Sequence, residues 1–284
     1  MLDLIIESDD GLRIVADHCP KADAPVVILA HGGGQTRHSW RDSSARLSAA
    51  GYEVISFDLR GHGDSEWSKA GDYSLEDMAR DMIALIRRHG ASRPVALVGA
   101  SLGGMISLIA ATTPGVKVGA VALVDVAPKI EPEGAARIRG FMLAHANGFA
   151  SLDEAAEAVA AYRGKRPSGG PASLSKNLRK HDDGRWYWHW DPAFMSNKAD
   201  RASTRRDVLD RAASAWRGPL LLVRGLQSDV VSDDSVQELL KIAPQTESVN
   251  VAESGHMVVS DRNDAFLDAV SKFLARHVPA KSAV

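Results

Sequence analysis

Apolar and polar residues alternate in two short runs, 2–8 and 12–19, separated by the turn-rich tetrad Ser8-Asp9-Asp10-Gly11. These runs read as an antiparallel hairpin at the edge of a sheet. The pattern then changes. Val26-Val27-Ile28-Leu29-Ala30 is continuously apolar, as in a strand covered on both faces, and it stops at His31-Gly32-Gly33-Gly34. Helix-like and strand-like patterns alternate from there: helices near 39–50, 75–89 and 102–111, strands at 53–57, 94–98 and 118–126. Gly51 and Gly90 follow the first two helices, where a left-handed residue is expected. This βαβα rhythm predicts a mostly parallel sheet with helices on both faces.

The rhythm lapses between about residues 128 and 215, where Ala-rich helical patches such as 153–161 and the breaker cluster 166–171 replace strand-like runs. It returns with a strand at 219–223, a helix near 233–242, a strand at 247–251 and a closing helix near 261–276. The expected organisation is therefore one α/β core, 1–127 plus 216–284, split by a helical lid at 128–215. No internal repeat is visible.

Composition narrows the partners. A formal net charge of −2, from 34 basic and 36 acidic residues, provides no field to attract nucleic acid or anionic lipid, so small molecules are the expected ligands. No apolar run approaches the ~20 residues of a membrane span, and the first residues lack a secretory layout, so a cytoplasmic location is expected. The single cysteine, Cys19, has no intramolecular disulfide partner and reads as a quiet, partly buried thiol.

The stretch that carries chemistry is Val95-Ala96-Leu97-Val98-Gly99-Ala100-Ser101-Leu102-Gly103-Gly104. As a bare pattern, Gly-x-Ser-x-Gly also describes a turn whose serine caps a helix. A buried strand before it and an apolar helix after it are the context of a nucleophile elbow. The turn is so tight that side chains two residues away would collide with the backbone, which accounts for Gly99 and Gly103. Ser101 would then stand at a helix N-terminus, with the Leu102 N–H facing developing negative charge.

With His31 to Gly34, Phe57-Asp58-Leu59-Arg60-Gly61-His62-Gly63-Asp64-Ser65, Gly99 to Gly104, Arg224 to Asp229 and Gly255-His256-Met257 in this order, the chain resembles the α/β-hydrolase superfamily. The resemblance implies a mostly parallel eight-stranded sheet flanked by helices, with the lid inserted. It also implies that an amide after the third strand, carried over to Gly33 with Gly34 as a second candidate, joins Leu102 in an oxyanion hole. His256, beyond the last predicted strand, is expected to be the general base. Asp229 gives the chain order Ser, Asp, His and is the expected acid; its rival is Asp125, at the end of the preceding strand. Asp58, Arg60, His62 and Asp64 read as ties within a Gly-rich turn.

The lid carries Arg185-Trp186-Tyr187-Trp188-His189-Trp190, with three of the six tryptophans in five positions. Trp186, Tyr187, Trp188, His38 and Trp40 are candidate pocket residues, which implies an apolar or aromatic substrate. No local spacing suggests a metal site, and no phosphate loop or dinucleotide fingerprint is present, so cofactor-free chemistry is expected. The function expected is hydrolysis of a carboxylic ester, lactone or thioester through an acyl-Ser101 intermediate. The alternatives are carbon-carbon cleavage of a diketone-type metabolite, cofactor-free perhydrolysis or oxygenation, and a ligand receptor on the same fold. Epoxide and haloalkane hydrolysis is disfavoured, because those relatives place aspartate where this chain has Ser101.

Overall fold

A computed structural model describes residues 2–164, 166, 169–196, 202–252, 254–256 and 263–280. Eight strands form one sheet: β1 (Leu2–Glu7), β2 (Arg13–Cys19), β3 (Val26–Ala30), β4 (Glu53–Phe57), β5 (Val95–Ala100), β6 (Ala120–Val124), β9 (Leu220–Gly225) and β10 (Thr246–Val251). Their spatial order is β1-β2-β4-β3-β5-β6-β9-β10. The pairs β1-β2 and β2-β4 are antiparallel, and every other pair is parallel, as the alternation predicted. The central strands are buried along their whole length, which is why they read as unbroken apolar runs.

One face of the sheet is covered by α1 (Arg41–Ala49) and α9 (Asn263–His277). The other carries α2 (Leu75–Gly90), α3 (Leu102–Thr112), α7 (Ala202–Ala215) and α8 (Asp233–Ile242). The expected start of the closing helix, Asp261, lies outside the described residues, as do Met257 and part of the 166–171 breaker cluster. Gly51 does take a positive φ of 101° behind α1. Gly90 does not: it is the last residue of α2, and a Cβ there would lie 2.1 Å from Val95 Cγ2. Close packing against β5, rather than a left-handed cap, requires that glycine.

The segment between β6 and β9 differs from a purely helical lid. It holds α4 (Pro132–Ala144), α5 (Leu152–Arg163), a two-stranded hairpin of β7 (Leu178–Lys180) and β8 (Trp186–Trp188), the short α6 (Pro192–Ser196) and α7. Trp186 to Trp188 form the second hairpin strand, so the rings of Trp186 and Trp188 share one side and Tyr187 points to the other. Leu209, Ala212 and Ala213 of α7 pack into the same core cluster as α3, whereas α5 and the hairpin share a cluster of their own around Phe149.

Polar groups stitch cap to core. The Asp191 N–H donates to Gly61 O (2.8 Å), the Gly63 N–H to His189 O (3.0 Å), and Arg179 pairs with Asp64. Beneath them Arg37 binds Asp17, Asp58 and Asp64, and the fully buried Arg60 binds Asp81 and Asp10. The turn from Asp58 to Ser65 is thus a structural node, as its composition suggested. No helix among the described residues is long and apolar enough to cross a membrane.

Candidate active site

Ser101 joins β5 to α3 with φ 47° and ψ −115°, a conformation rarely adopted by residues with a Cβ. Its surroundings explain the neighbouring glycines. A Cβ on Gly99 would sit 2.2 Å from Gly103 O, and one on Gly103 would sit 2.2 Å from Ala30 O. Both clashes are with backbone, which cannot rotate away. Gly99→Ala is therefore expected to cost about 3 kcal/mol and to lower the melting temperature by roughly 6–12 °C, measurable by calorimetry. An unchanged melting temperature would contradict this packing.

The Ser101 N–H donates to Val124 O (3.0 Å), so the serine lies beside the end of β6. The next residue, Asp125, is also left-handed, at φ 49°, and is fully buried. Its carboxylate accepts from the Gly225 N–H (3.0 Å), the Ser228 hydroxyl (2.6 Å) and His256 Nδ1 (2.7 Å). Because the carboxylate accepts, Nδ1 carries the ring proton and Nε2 keeps its lone pair. The loop bearing His256 is pressed onto the end of β9: a Cβ on Gly225 would lie 2.4 Å from Gly255 O, and the Gln227 N–H donates to Ser254 O (2.9 Å).

Asp229 does not meet the imidazole, contrary to the expectation from chain order. The loop after β9 turns tightly, with the Ser228 N–H donating to Gly225 O (3.0 Å), and Ser228 takes the place beside Asp125. Asp229 is carried past that place toward α4, where its carboxylate pairs with Arg137 Nη2 at 2.8 Å. Gly134 of α4 allows the approach: a Cβ there would meet Asp229 O at 2.1 Å. The signal for Asp125 was present in the sequence, since an acid at the tip of a fully buried strand needs buried partners.

The glycine loop after β3 is held by His31. Its Nδ1 donates to Gly32 O (2.8 Å) and its Nε2 accepts the Leu59 N–H (3.0 Å), which requires a neutral ring. Burial pushes this histidine down to about 3, in keeping with those two bonds. The Gly32 N–H is taken by Gln35 Oε1 (3.2 Å). Among the described residues, no hydrogen bond takes the N–H of Gly33, Gly34 or Leu102. Gly34 adopts φ 73°. Gly33, Gly34, Ser101 and Leu102 are all residues of intermediate burial.

The cap residues nearest the loop are not those expected. Phe194 lies 3.7 Å from where a Gly33 Cβ would be, Met142 Cε 3.2 Å from that of Gly34, and Trp190 Nε1 3.7 Å from the latter. Trp40 is instead fully buried on the far face of the sheet against Phe266, with ring centroids 5.9 Å apart. His38 faces Asp17 at 3.5 Å. Trp186 and Trp188 pack on the core around Phe149, Trp188 also packs against the Met142–Trp190–Met195 cluster beside the loop, and Tyr187 donates its hydroxyl to Asp183 (2.7 Å). Helical spacing on α4 and α6 placed Met142 and Phe194, and neither belongs to a sequence motif.

Comparison with known proteins agrees with this architecture. Residues 25–262 match the profile of the alpha/beta hydrolase fold. The chain is 33% identical to esterase Rv0045c of Mycobacterium tuberculosis over 257 residues, 87% of this chain and 82% of that protein. It is 29% identical to 3-hydroxybutyrate-oligomer hydrolase of Cupriavidus necator, over 88% of this chain and 89% of the other. The crystal structure of E-2-(acetamidomethylene)succinate hydrolase superimposes with a TM-score of 0.83 at 25% identity, over 96% of this chain and 99% of that one.

Proposed function

Because the chain belongs to the alpha/beta hydrolase fold family, we propose that it is a serine hydrolase cleaving a small-molecule carboxylic ester, lactone or thioester, with Ser101, His256 and Asp125 as its triad. The observation that carries this reading is the Asp125–His256 hydrogen bond, made one residue beyond the carbonyl that holds the Ser101 amide.

In this mechanism His256 Nε2 takes the hydroxyl proton as Ser101 Oγ attacks the substrate carbonyl carbon. The carbonyl oxygen becomes an oxyanion facing the Gly33 and Leu102 N–H groups, each such donor being worth about 10²–10³ in rate. Gly32 is excluded as a donor because Gln35 already takes its N–H, and the left-handed Gly34 lets the chain turn away after Gly33. Collapse breaks the bond to the leaving group, which takes the proton from His256. Water then attacks the acyl-serine, giving its proton to the same nitrogen; collapse breaks the bond to Ser101 Oγ, which takes that proton back as the acid leaves. Asp125 remains ionised throughout, holding the ring by Nδ1 and stabilising the imidazolium.

Phe194, Met142 and Trp190 border the oxyanion loop, so the acyl group they would contact is apolar. Labelling the native protein with a fluorophosphonate, followed by peptide mapping, tests the assignment. Modification is expected on Ser101 alone, together with loss of nitrophenyl-ester hydrolysis. A label mapped to any other residue refutes it.

A further inference from the structure

A second cluster of chemically capable side chains lies at the opposite end of the sheet. Glu53 opens β4, whereas Ser101 follows the last residue of the parallel strand β5, so the two sites are separated by the length of the strands, about 15–20 Å. His18, on β2, lies on the same side of the sheet as Ile14 and Ala16 and faces the end of α2, where His89 stands. His18 Nε2 is 3.0 Å and His89 Nδ1 3.1 Å from the same oxygen, Glu53 Oε1. All three potential ligand atoms lie within 4.8 Å of one another, and the two rings meet edge to face at 5.1 Å.

We propose that His18, Glu53 and His89 form a binding site for a divalent first-row transition metal of the zinc type. Two imidazoles and a carboxylate are the donor set such ions favour, and a fourth position is left for water. Around an ion with bonds of about 2.0–2.1 Å, tetrahedral ligand atoms stand roughly 3.3 Å apart. Both nitrogen-to-oxygen distances are already close to that edge, and rotation of the two rings closes the remaining one. Arg93 grips both carboxylate oxygens, Oε2 through Nη1 at 2.6 Å and Oε1 more loosely through Nη2 at 3.3 Å, which orients the carboxylate with Oε1 toward the histidines. His89 Nε2 is buried with no hydrogen-bond partner among the described residues. Moving the ring proton from Nδ1 to Nε2, as metal ligation requires, therefore breaks no second hydrogen bond.

Local spacing could not reveal this site, because its ligands come from β2, the start of β4 and the end of α2. A bound ion would clip these three elements together at the end of the sheet opposite Ser101. The adjacent Arg93 cation weakens attraction for a second cation, so binding weaker than at a four-ligand structural zinc site is expected.

Isothermal titration of the chelator-stripped full chain with Zn²⁺, with thermal melts alongside, tests the proposal. One ion per chain and a higher melting temperature are expected. His18→Asn and His89→Asn should each weaken binding at least tenfold. His256→Ala should retain the site, which separates it from zinc binding at the candidate active site. The Co²⁺ complex of the wild-type chain should show the intense visible bands of a tetrahedral ion, a readout that does not depend on the variants folding. Absence of binding up to 1 mM, or binding lost in His256→Ala and kept in both other variants, overturns it.

Discussion

Asp125→Asn is expected to lower kcat for ester hydrolysis by about 10⁴, whereas Asp229→Asn should leave it within a few-fold. The asparagine amide cannot reproduce the arrangement around Asp125, where one buried carboxylate accepts from the Gly225 N–H, the Ser228 hydroxyl and His256 Nδ1. If its oxygen keeps the Gly225 bond at the Oδ1 position, its NH₂ takes the Oδ2 position shared by Ser228 and His256, meets Nδ1 and drives the ring proton to Nε2. The base then has no lone pair for the Ser101 proton. Asp229, paired with Arg137 on α4, holds the cap and leaves the imidazole alone. Steady-state kinetics on both variants decide the matter, with fluorophosphonate labelling at high reagent concentration to show that Ser101 is still present and accessible. Equal losses in the two variants, or a larger loss in Asp229→Asn, would remove Asp125 from the triad.

Acid should destabilise the protein well above the pH at which ordinary carboxylates titrate. Burial lowers His31 and His62 to about 3, and His189 to about 4. Their unfolded counterparts take up protons near the ordinary value of 6.5. A folded value below the unfolded one means that the stabilisation is complete above pH 6.5 and is lost as the pH falls toward the folded values. Asp81 works in the opposite direction, since burial pushes it up to about 6 even beside Arg60, and its proton is bound more tightly in the folded state. Between pH 6 and 5 the net difference is about two protons, or roughly 3 kcal/mol per pH unit, against a typical total stability of about 5–15 kcal/mol. Urea midpoints at pH 7, 6 and 5 should fall steeply in that order. His189→Gln should flatten the dependence, because its ring nitrogens are buried without hydrogen-bond partners among the described residues and its role in the slope is the proton the ring refuses. Midpoints independent of pH over this range would contradict the assignment.

Much of the fold could be read along the chain because the signals were local. Unbroken apolar runs announced β3, β4, β5 and β6, since a strand covered on both faces has no polar side to display. The elbow could be read for the same reason. Gly99, Ser101 and Gly103 lie within one tight turn, and the clashes that forbid side chains there involve backbone only a few residues away or on the adjoining strand. The His256 loop followed from its position after the last strand.

Tertiary structure alone decided the rest. Whether Asp125 or Asp229 meets His256 depends on how the loop after β9 folds back on Ser228, a matter of angstroms that chain order does not encode. The tryptophans of the cap looked like one cluster, but Trp186 and Trp188 share the side that packs on Phe149, and beside the glycine loop Trp190 is joined by Met142 of α4 and Phe194 of α6. Trp40 was indistinguishable in sequence from a pocket residue until α9 was packed over it. The His18–Glu53–His89 cluster had no local pattern at all, because its members meet only through the pairing of β2 with β4 and the docking of α2. Residues close together along the backbone disclose their geometry through sterics and periodicity, whereas those brought together by packing do so only once the sheet and its helices are assembled.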